Sequence, residues 1–165
     1  MTIKNFCPET QEWMKSTKYI IGLIEDRENE LELVWEEVQI LWRERRGVYW
    51  PNYAVMQVGS ILDYIIRLAL IGPGETSQCI MWKHQYDPSK VKGKWEHYET
   101  VLKFIKKELK KTSNACKKLY RIRNIASHNI SPLEKELKLE DLRNVVYFAR
   151  AVHVFVKELL KHGSS

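Results

Sequence analysis

The sequence has few of the features that mark membrane-spanning, secreted or disulfide-stabilised proteins. Its 165 residues include only three cysteines, seven glycines and five prolines. The cysteines are scattered and odd in number, which favours reduced thiols over a disulfide framework. No apolar run approaches the roughly 20 residues that span a bilayer, and the N-terminus has no apolar signal-peptide segment. These absences predict a soluble, cytoplasmic protein that has no membrane-bound part.

Motifs for common enzyme chemistries are also missing. The sequence contains no glycine-rich phosphate loop, no GxSxG motif and no internal repeat. Zinc needs three or four ligands at recognised spacings, and the nearest candidates, Cys79 with His84 and His84 with His97, supply only two each. We therefore predict neither a metal site nor a cofactor.

Apolar residues recur at three- and four-residue spacings along most of the chain, which is typical of amphipathic helices. The 44% hydrophobic content and the length are sufficient for one core. We predict an all-α fold in a single domain (1–165), an antiparallel up-and-down bundle of about four core helices. The core spans about 52–162, and an N-terminal helical extension spans about 8–46.

Two local patterns refine this outline. Thr112, Ser113 and Asn114 predict a turn and an N-cap that opens a new helix toward residue 128. Residues 75–94 show no sustained periodicity and predict a long loop. Its aromatic and lysine side chains would either stack on unpaired bases or pin the loop to the core.

The helix after residue 114 carries the most distinctive polar residues in the chain. Arg123, Asn124 and His128 lie within six positions, and we place Arg123 and His128 off the apolar stripe. Asn124 and His128 are four residues apart and share a helical face. A last turn that loosens before Ser131-Pro132 would bring the guanidinium, the amide and the imidazole together. The apolar stripe consists of Cys116, Leu119, Ile122 and Ala126.

Charge is distributed unevenly along the chain. Residues 1–40 contain nine acidic and four basic side chains, whereas residues 90–123 contain twelve basic and three acidic ones. Clustered Lys and Arg bind polyanions because they release counterions from phosphates, although a solvated lysine face explains the same pattern. The residues predicted to bind an RNA substrate are Lys107, Lys110, Lys111, Lys117, Lys118 and Arg121.

The Arg123-Asn124 pair followed by His128 resembles the signature of HEPN domains, an Arg and a His separated by four to six residues. The resemblance covers roughly residues 52–162 and implies a helical bundle that dimerises through the signature helices. It also implies metal-independent RNA cleavage, in which the RNA 2′-hydroxyl attacks the phosphate. Arg123 would stabilise the phosphorane, Asn124 would bind the phosphate or set the His128 tautomer, and two His128 residues would act as base and acid.

Further residues bear on how the Arg123 and His128 site would be oriented and regulated. We predict that Asp63 reaches and orients Arg123, with a surface ion pair to Arg67 as the alternative. HEPN toxins carry a Tyr two residues after the His, where an antitoxin modifies it, and here that residue is Ile130. His153 lies at the edge of the last apolar stripe and is interpreted as a packed or solvated side chain.

Three functions therefore remain open from the sequence. The first is a homodimeric endoribonuclease in toxin–antitoxin or antiviral defence, with RNA and an antitoxin or regulatory protein as partners. The second is a non-catalytic helical module that binds nucleic acid or a partner protein. The third is a sensor in which Arg123 and His128 bind a phosphorylated nucleotide. Cleavage requires His128, pure binding requires the lysines, and sensing predicts a melting temperature that rises with nucleotide.

Overall fold

The chain is helical throughout the part that the structure describes. The computed structural model describes residues 5–47, 50–71, 96–128 and 138–163, and these ranges contain no strand. The all-α class is thus confirmed. The five helices of these ranges are α1 (Pro8–Met14), α2 (Thr17–Glu44), α3 (Trp50–Ile71), α4 (Tyr98–His128) and α5 (Leu139–His162).

The N-terminal extension, predicted as helical over about 8–46, has its break between helices near its start. The structure separates α1 from α2 at Lys15 and Ser16, and α2 then continues unbroken to Glu44. The break is stabilised by a cap, because Ser16 Oγ accepts a hydrogen bond from the backbone N–H of Tyr19 at 3.2 Å. At the other end Arg45 adopts a left-handed conformation with φ of 49° and ends the helix.

The predicted turn at residues 112–114 is wrong, since α4 runs through it from Tyr98 to His128. Ser, Thr and Asn each lower helix stability by only about 0.5 kcal/mol relative to Ala, so packing on either side outweighs them. The Thr112 hydroxyl also lies 3.4 Å from the carbonyl of Glu108, one turn earlier, where it can donate within the helix. The basic segment and the signature residues therefore belong to one continuous helix.

The four long helices share one hydrophobic core. In the described part, α3 and α5 pack against each other, and both pack against α2 and α4, which make no extensive contact with each other. The helix α2, predicted as part of an N-terminal extension, contributes four buried side chains to this core. They are Ile20, Ile24, Leu31 and Val38.

Side-chain contacts fix the relative direction of α4 and α5. The rings of Phe104 and Phe155 stack with centroids 4.0 Å apart, and Lys118 Nζ lies 2.7 Å from a carboxylate oxygen of Asp141. Later residues of α4 thus meet earlier residues of α5, so the two helices run antiparallel.

Two ion pairs give the same result for α2 and α5. Arg150 donates to both carboxylate oxygens of Glu32 at 2.5 and 2.6 Å, and Lys157 lies 2.6 Å from Glu28. An increase in residue number on α5 corresponds to a decrease on α2, so this pair is also antiparallel. These directions agree with an up-and-down bundle, and the full order of that bundle stays a prediction.

The central helix α3 is long and apolar enough, over Trp50–Leu70, to cross a membrane by length and composition. Of its most apolar window, 61% is buried inside the structure. Core helices of globular bundles meet the same two criteria, because a helix covered on several sides is apolar on several sides. The cytoplasmic location stays a prediction.

Candidate nucleic-acid interface

The outer surface of α4 carries a row of exposed cations, which we call the basic face. None of its members forms an ion pair within the described residues. Neighbours in the row are about one helical turn or less apart, except for a gap of two turns between Lys110 and Lys117, and the row extends about 27 Å along the axis. A polyanion lying along α4 would meet these charges in succession. The basic face consists of Lys103, Lys106, Lys107, Lys110, Lys117 and Arg121.

Two of the predicted substrate-binding lysines have partners inside the protein. Lys111 Nζ lies 2.7 Å from a carboxylate oxygen of Glu108, and Lys118 Nζ lies 2.7 Å from Asp141. Asp141 also accepts a hydrogen bond from the backbone N–H of Lys138 at the start of α5. Lys118 is half-buried, and its ion pair with Asp141 connects α4 to α5. Its ammonium group is therefore less available to a ligand than those of the exposed lysines.

An open concavity of about 330 Å³ lies on this surface. Asn114, Lys117, Lys118 and Arg121 line it, and they follow one another at spacings of one turn or less. The amide supplies donors and an acceptor, and the cations supply donors alone. Such a lining suits an anionic oxygen, and three of the predicted substrate-binding residues lie here.

Arg123 lies on a different side of α4 from the basic face. It follows Leu119 by four residues and Cys116 by seven, and both of these side chains are fully buried. Arg123 itself is half-buried. Its predicted position off the apolar stripe is therefore wrong, because seven residues along a helix return the chain to almost the same angle. Arg123 faces the bundle near the C-terminal end of α4.

The backbone of α4 remains helical to His128, so no loosened turn lies between Arg123 and His128. Five residues of α-helix separate two positions by about 140° around the axis and about 7.5 Å along it. Asn124 and His128, four residues apart, share a face as predicted. The His128 side chain lies outside the described part of the structure, as do Ser131-Pro132.

Asp63 lies on α3, the neighbour of α4 in the core, and is only 6% exposed. An ion pair of Asp63 with Arg67 would therefore not be solvent-exposed, and the pairing itself stays a prediction. The Arg67 guanidinium stacks over the ring of Tyr64, 4.8 Å from its centroid. Contact between Asp63 and Arg123 stays a prediction.

His153, interpreted from the sequence as packed or solvated, is packed and only 1% exposed. Neither ring nitrogen has a hydrogen-bond partner among the described residues. Burial, and to a smaller extent the nearby charge of Lys157, lowers the pKa of His153 from 6.5 to about 4. The sequence did contain a pointer, because Val146 and Ala149, seven and four residues before it, are apolar and buried.

Several predicted features fall outside the described residues. These are the loop at 75–94, with its aromatic and lysine side chains, and Ile130. Within the described ranges, no group of three or more His, Cys, Asp and Glu side chains is placed to hold a metal ion. The described site therefore consists of the basic face, the concavity and the last turns of α4.

The chain was compared with protein-family models, with curated proteins and with solved structures, and none of the three comparisons found a match. The resemblance to HEPN domains consequently depends on the signature residues and their helical setting. It stays a prediction.

Proposed function

We propose that the protein is a metal-independent endoribonuclease that acts as a homodimer through Arg123, Asn124 and His128. The observation that supports this most is the composition of α4. One unbroken helix carries an exposed basic face that has no ion pair to a described residue, and its last turns contain the three signature residues. The basic face would hold an RNA strand by its phosphates, and the strand would pass the signature at the end of the helix.

The reaction needs two proton transfers. The RNA 2′-hydroxyl loses its proton to a base, its oxygen attacks the adjacent phosphorus, and the bond from phosphorus to the 5′-oxygen breaks as an acid protonates that oxygen. The products are a 2′,3′-cyclic phosphate and a 5′-hydroxyl. One imidazole cannot be neutral and protonated at the same moment, whereas the His128 residues of two copies can divide the roles.

The helix geometry adds a second reason for a dimer. Arg123 and His128 of one chain are about 140° apart around α4, so a single straight helix does not present both to one phosphate. A second α4 packed beside the first can present its own residues to the same point. Arg123 would then stabilise the phosphorane with two hydrogen bonds, and Asn124 would bind the phosphate or set the His128 tautomer.

Purified protein incubated in EDTA with a labelled RNA and the DNA of the same sequence tests the proposal. Cleavage is expected for RNA alone and should leave 2′,3′-cyclic phosphate ends, because DNA lacks the attacking hydroxyl. Cleavage of both nucleic acids, or 3′-hydroxyl product ends, would contradict the mechanism.

The basic face makes a separate prediction about binding. Replacing Lys107, Lys110 and Lys117 together by Gln should weaken RNA affinity for all sequences alike. Each lost phosphate contact should also reduce the salt dependence of binding by about one unit of slope. Fluorescence anisotropy at several salt concentrations measures both quantities.

A matched triple variant controls for total charge. Lys15 and Lys18 are exposed at the start of α2 and Arg43 is exposed at its end, and α2 makes no extensive contact with α4. Their replacement by Gln removes the same charge. The slope should stay at the wild-type value in this control. An equal loss in both variants would show that net charge rather than the basic face holds RNA.

A non-catalytic RNA-binding module is the second candidate, and one observation favours it. Arg123 is half-buried on the side of α4 that faces the bundle, a position that suits a structural role. In that case the basic face would bind RNA and His128 would be dispensable. A role in toxin–antitoxin or antiviral defence, with an antitoxin as partner, is part of the endoribonuclease proposal. It follows from the resemblance to HEPN domains alone.

A further inference from the structure

The outer surface of α2 has the opposite charge from the basic face of α4. Four of its exposed acids form no ion pair within the described residues, and we call them the acidic face. Two large apolar side chains accompany the acids: Leu33 (62% exposed) lies between the two acidic pairs, and Ile40 (42%) lies about one turn after the second pair. Exposed apolar groups with a charged rim are typical of an interaction surface. The acidic face consists of Glu25, Asp26, Glu36 and Glu37.

The two faces lie on opposite sides of the molecule. Within the described part α2 and α4 are separated by the packed pair of α3 and α5. The acidic face of one chain consequently cannot reach the basic face of the same chain, and both remain open to other molecules.

The charges of the two faces have matching spacing. On α2 an acidic pair at 25–26 is followed by a second pair at 36–37, eleven residues later. On α4 Lys106 and Lys107 of the basic face are followed eleven residues after Lys106 by Lys117. Eleven residues are three helical turns to within about 20°, and they extend about 16 Å. Two helices laid side by side can therefore bring one acidic pair against Lys106 and Lys107 and the other against Lys117.

We propose that the acidic face of α2 docks on the basic face of α4 of a second copy of this chain. Opposite charges at matching distances favour this arrangement over two like faces. Leu33 and Ile40 would be covered by the aliphatic stems of the partner lysines, which pack on apolar surface while their ammonium groups stay hydrated. The acidic face would thus occupy the surface on which a polyanion binds.

This association differs from the homodimer of the proposed function. It joins two different surfaces, so each added copy leaves one face of each kind open, and the assembly can grow beyond two chains. Because this association depends on exposed charges, high salt should dissociate it. It does not rest on RNA cleavage, since it invokes neither Arg123 nor His128.

Sedimentation velocity at low and high salt tests the proposal on the full chain. Species larger than a dimer are expected at low salt, and high salt should return them to the dimer or monomer. An excess of a short RNA should also dissociate the assembly at low salt, because the RNA competes for the basic face. No species above the dimer at low salt would overturn the proposal. So would an assembly that stays intact while fluorescence anisotropy shows RNA bound to the protein, whereas an absence of RNA binding would contradict the proposed function alone.

Charge reversal identifies the surfaces. One variant combines Asp26→Lys, Glu36→Lys and Glu37→Lys. Another combines Lys106→Glu, Lys107→Glu and Lys117→Glu. Each alone should associate at least ten-fold more weakly than wild type. Mixed together the two should associate again, because the first has two basic faces and the second has two acidic ones.

A control matched in charge to the acidic-face variant combines Glu9→Lys, Glu12→Lys and Glu140→Lys. These three residues are exposed outside the acidic face. The control should assemble as wild type does, and circular dichroism should show that all variants keep their helix content and melting temperature. Wild-type assembly by either reversal variant, or a mixture that stays dispersed, would overturn the proposal.

Discussion

Replacing His128 by Ala is expected to abolish RNA cleavage while RNA affinity stays within about two-fold of wild type. A positioned general acid or base contributes about 10²- to 10⁴-fold to such a reaction, and His128 would supply both in a homodimer. Phosphate binding, by contrast, is assigned to the basic face. Single-turnover cleavage and fluorescence anisotropy, measured on the same preparations, separate the two effects.

His162→Ala is the matched control for this variant. His162 is exposed at the end of α5, which lies beside the start of α4, so the length of α4 separates it from His128. That length is about 45 Å for a helix of this size. Cleavage by the control should equal wild type. Retained cleavage by His128→Ala, with the same product ends, would remove His128 from the mechanism.

Mixing the two proteins tests the composite site. If each cleavage needs His128 from both chains, wild type mixed with His128→Ala should lose activity as the square of the wild-type fraction after subunits exchange. A linear loss would mean that one chain is sufficient. The squared dependence is specific to a shared site, because a variant that simply misfolds would not inhibit its partner.

Replacing His153 by Leu is expected to stabilise the protein by about 1–2 kcal/mol at neutral pH. His153 is buried with neither ring nitrogen hydrogen-bonded to a described residue. Leaving a buried polar group without a partner costs about 1–3 kcal/mol, whereas an apolar side chain of similar volume avoids that cost. Urea unfolding monitored by circular dichroism measures the difference.

The advantage of His153→Leu should grow in acid. The folded state holds the pKa of His153 at about 4, while the unfolded chain titrates near 6.5. Between these values the unfolded state binds the proton and the folded state does not, so wild-type stability is full above about pH 6.5 and decreases as pH falls. The loss approaches about 3 kcal/mol by pH 4, and the Leu variant should be free of it.

His162→Leu serves as the control here, because His162 is exposed at the end of α5 and lies outside the core. The informative quantity is the stability difference between wild type and each variant at each pH, since carboxylates add the same acid slope to all three proteins. A difference for His153→Leu that is constant with pH would show that His153 does not titrate on unfolding.

The sequence predicted the helices well and some of their ends poorly. Periodic apolar residues placed α3 and α5 to within a few residues, because burial of one helical face determines where such residues lie. The ends failed where small effects compete. Thr112, Ser113 and Asn114 looked like a turn, and packing overrode their weak preferences. Ser16 caps a helix that apolar periodicity alone had merged with the one before it.

In the candidate interface, too, some features follow from the local sequence and others depend on how the helices pack. Exposure of most of the predicted lysines follows from helical periodicity, and the pair of Lys111 with Glu108, three residues apart, is also readable from the sequence. The ion pair of Lys118 with Asp141 spans 23 residues and depends on how α4 packs on α5. No local pattern contains that information.

The sequence by itself determined the all-α class, the charge difference between its first forty residues and the segment before the signature, and the helical face of each lysine. These depend on neighbours within a turn or two of the same helix. Only the tertiary structure decided that Lys118 pairs with Asp141, that α2 belongs to the core, and that the acidic and basic faces lie on opposite sides. Each of these depends on which helices pack together, a property of contacts between residues far apart in the chain.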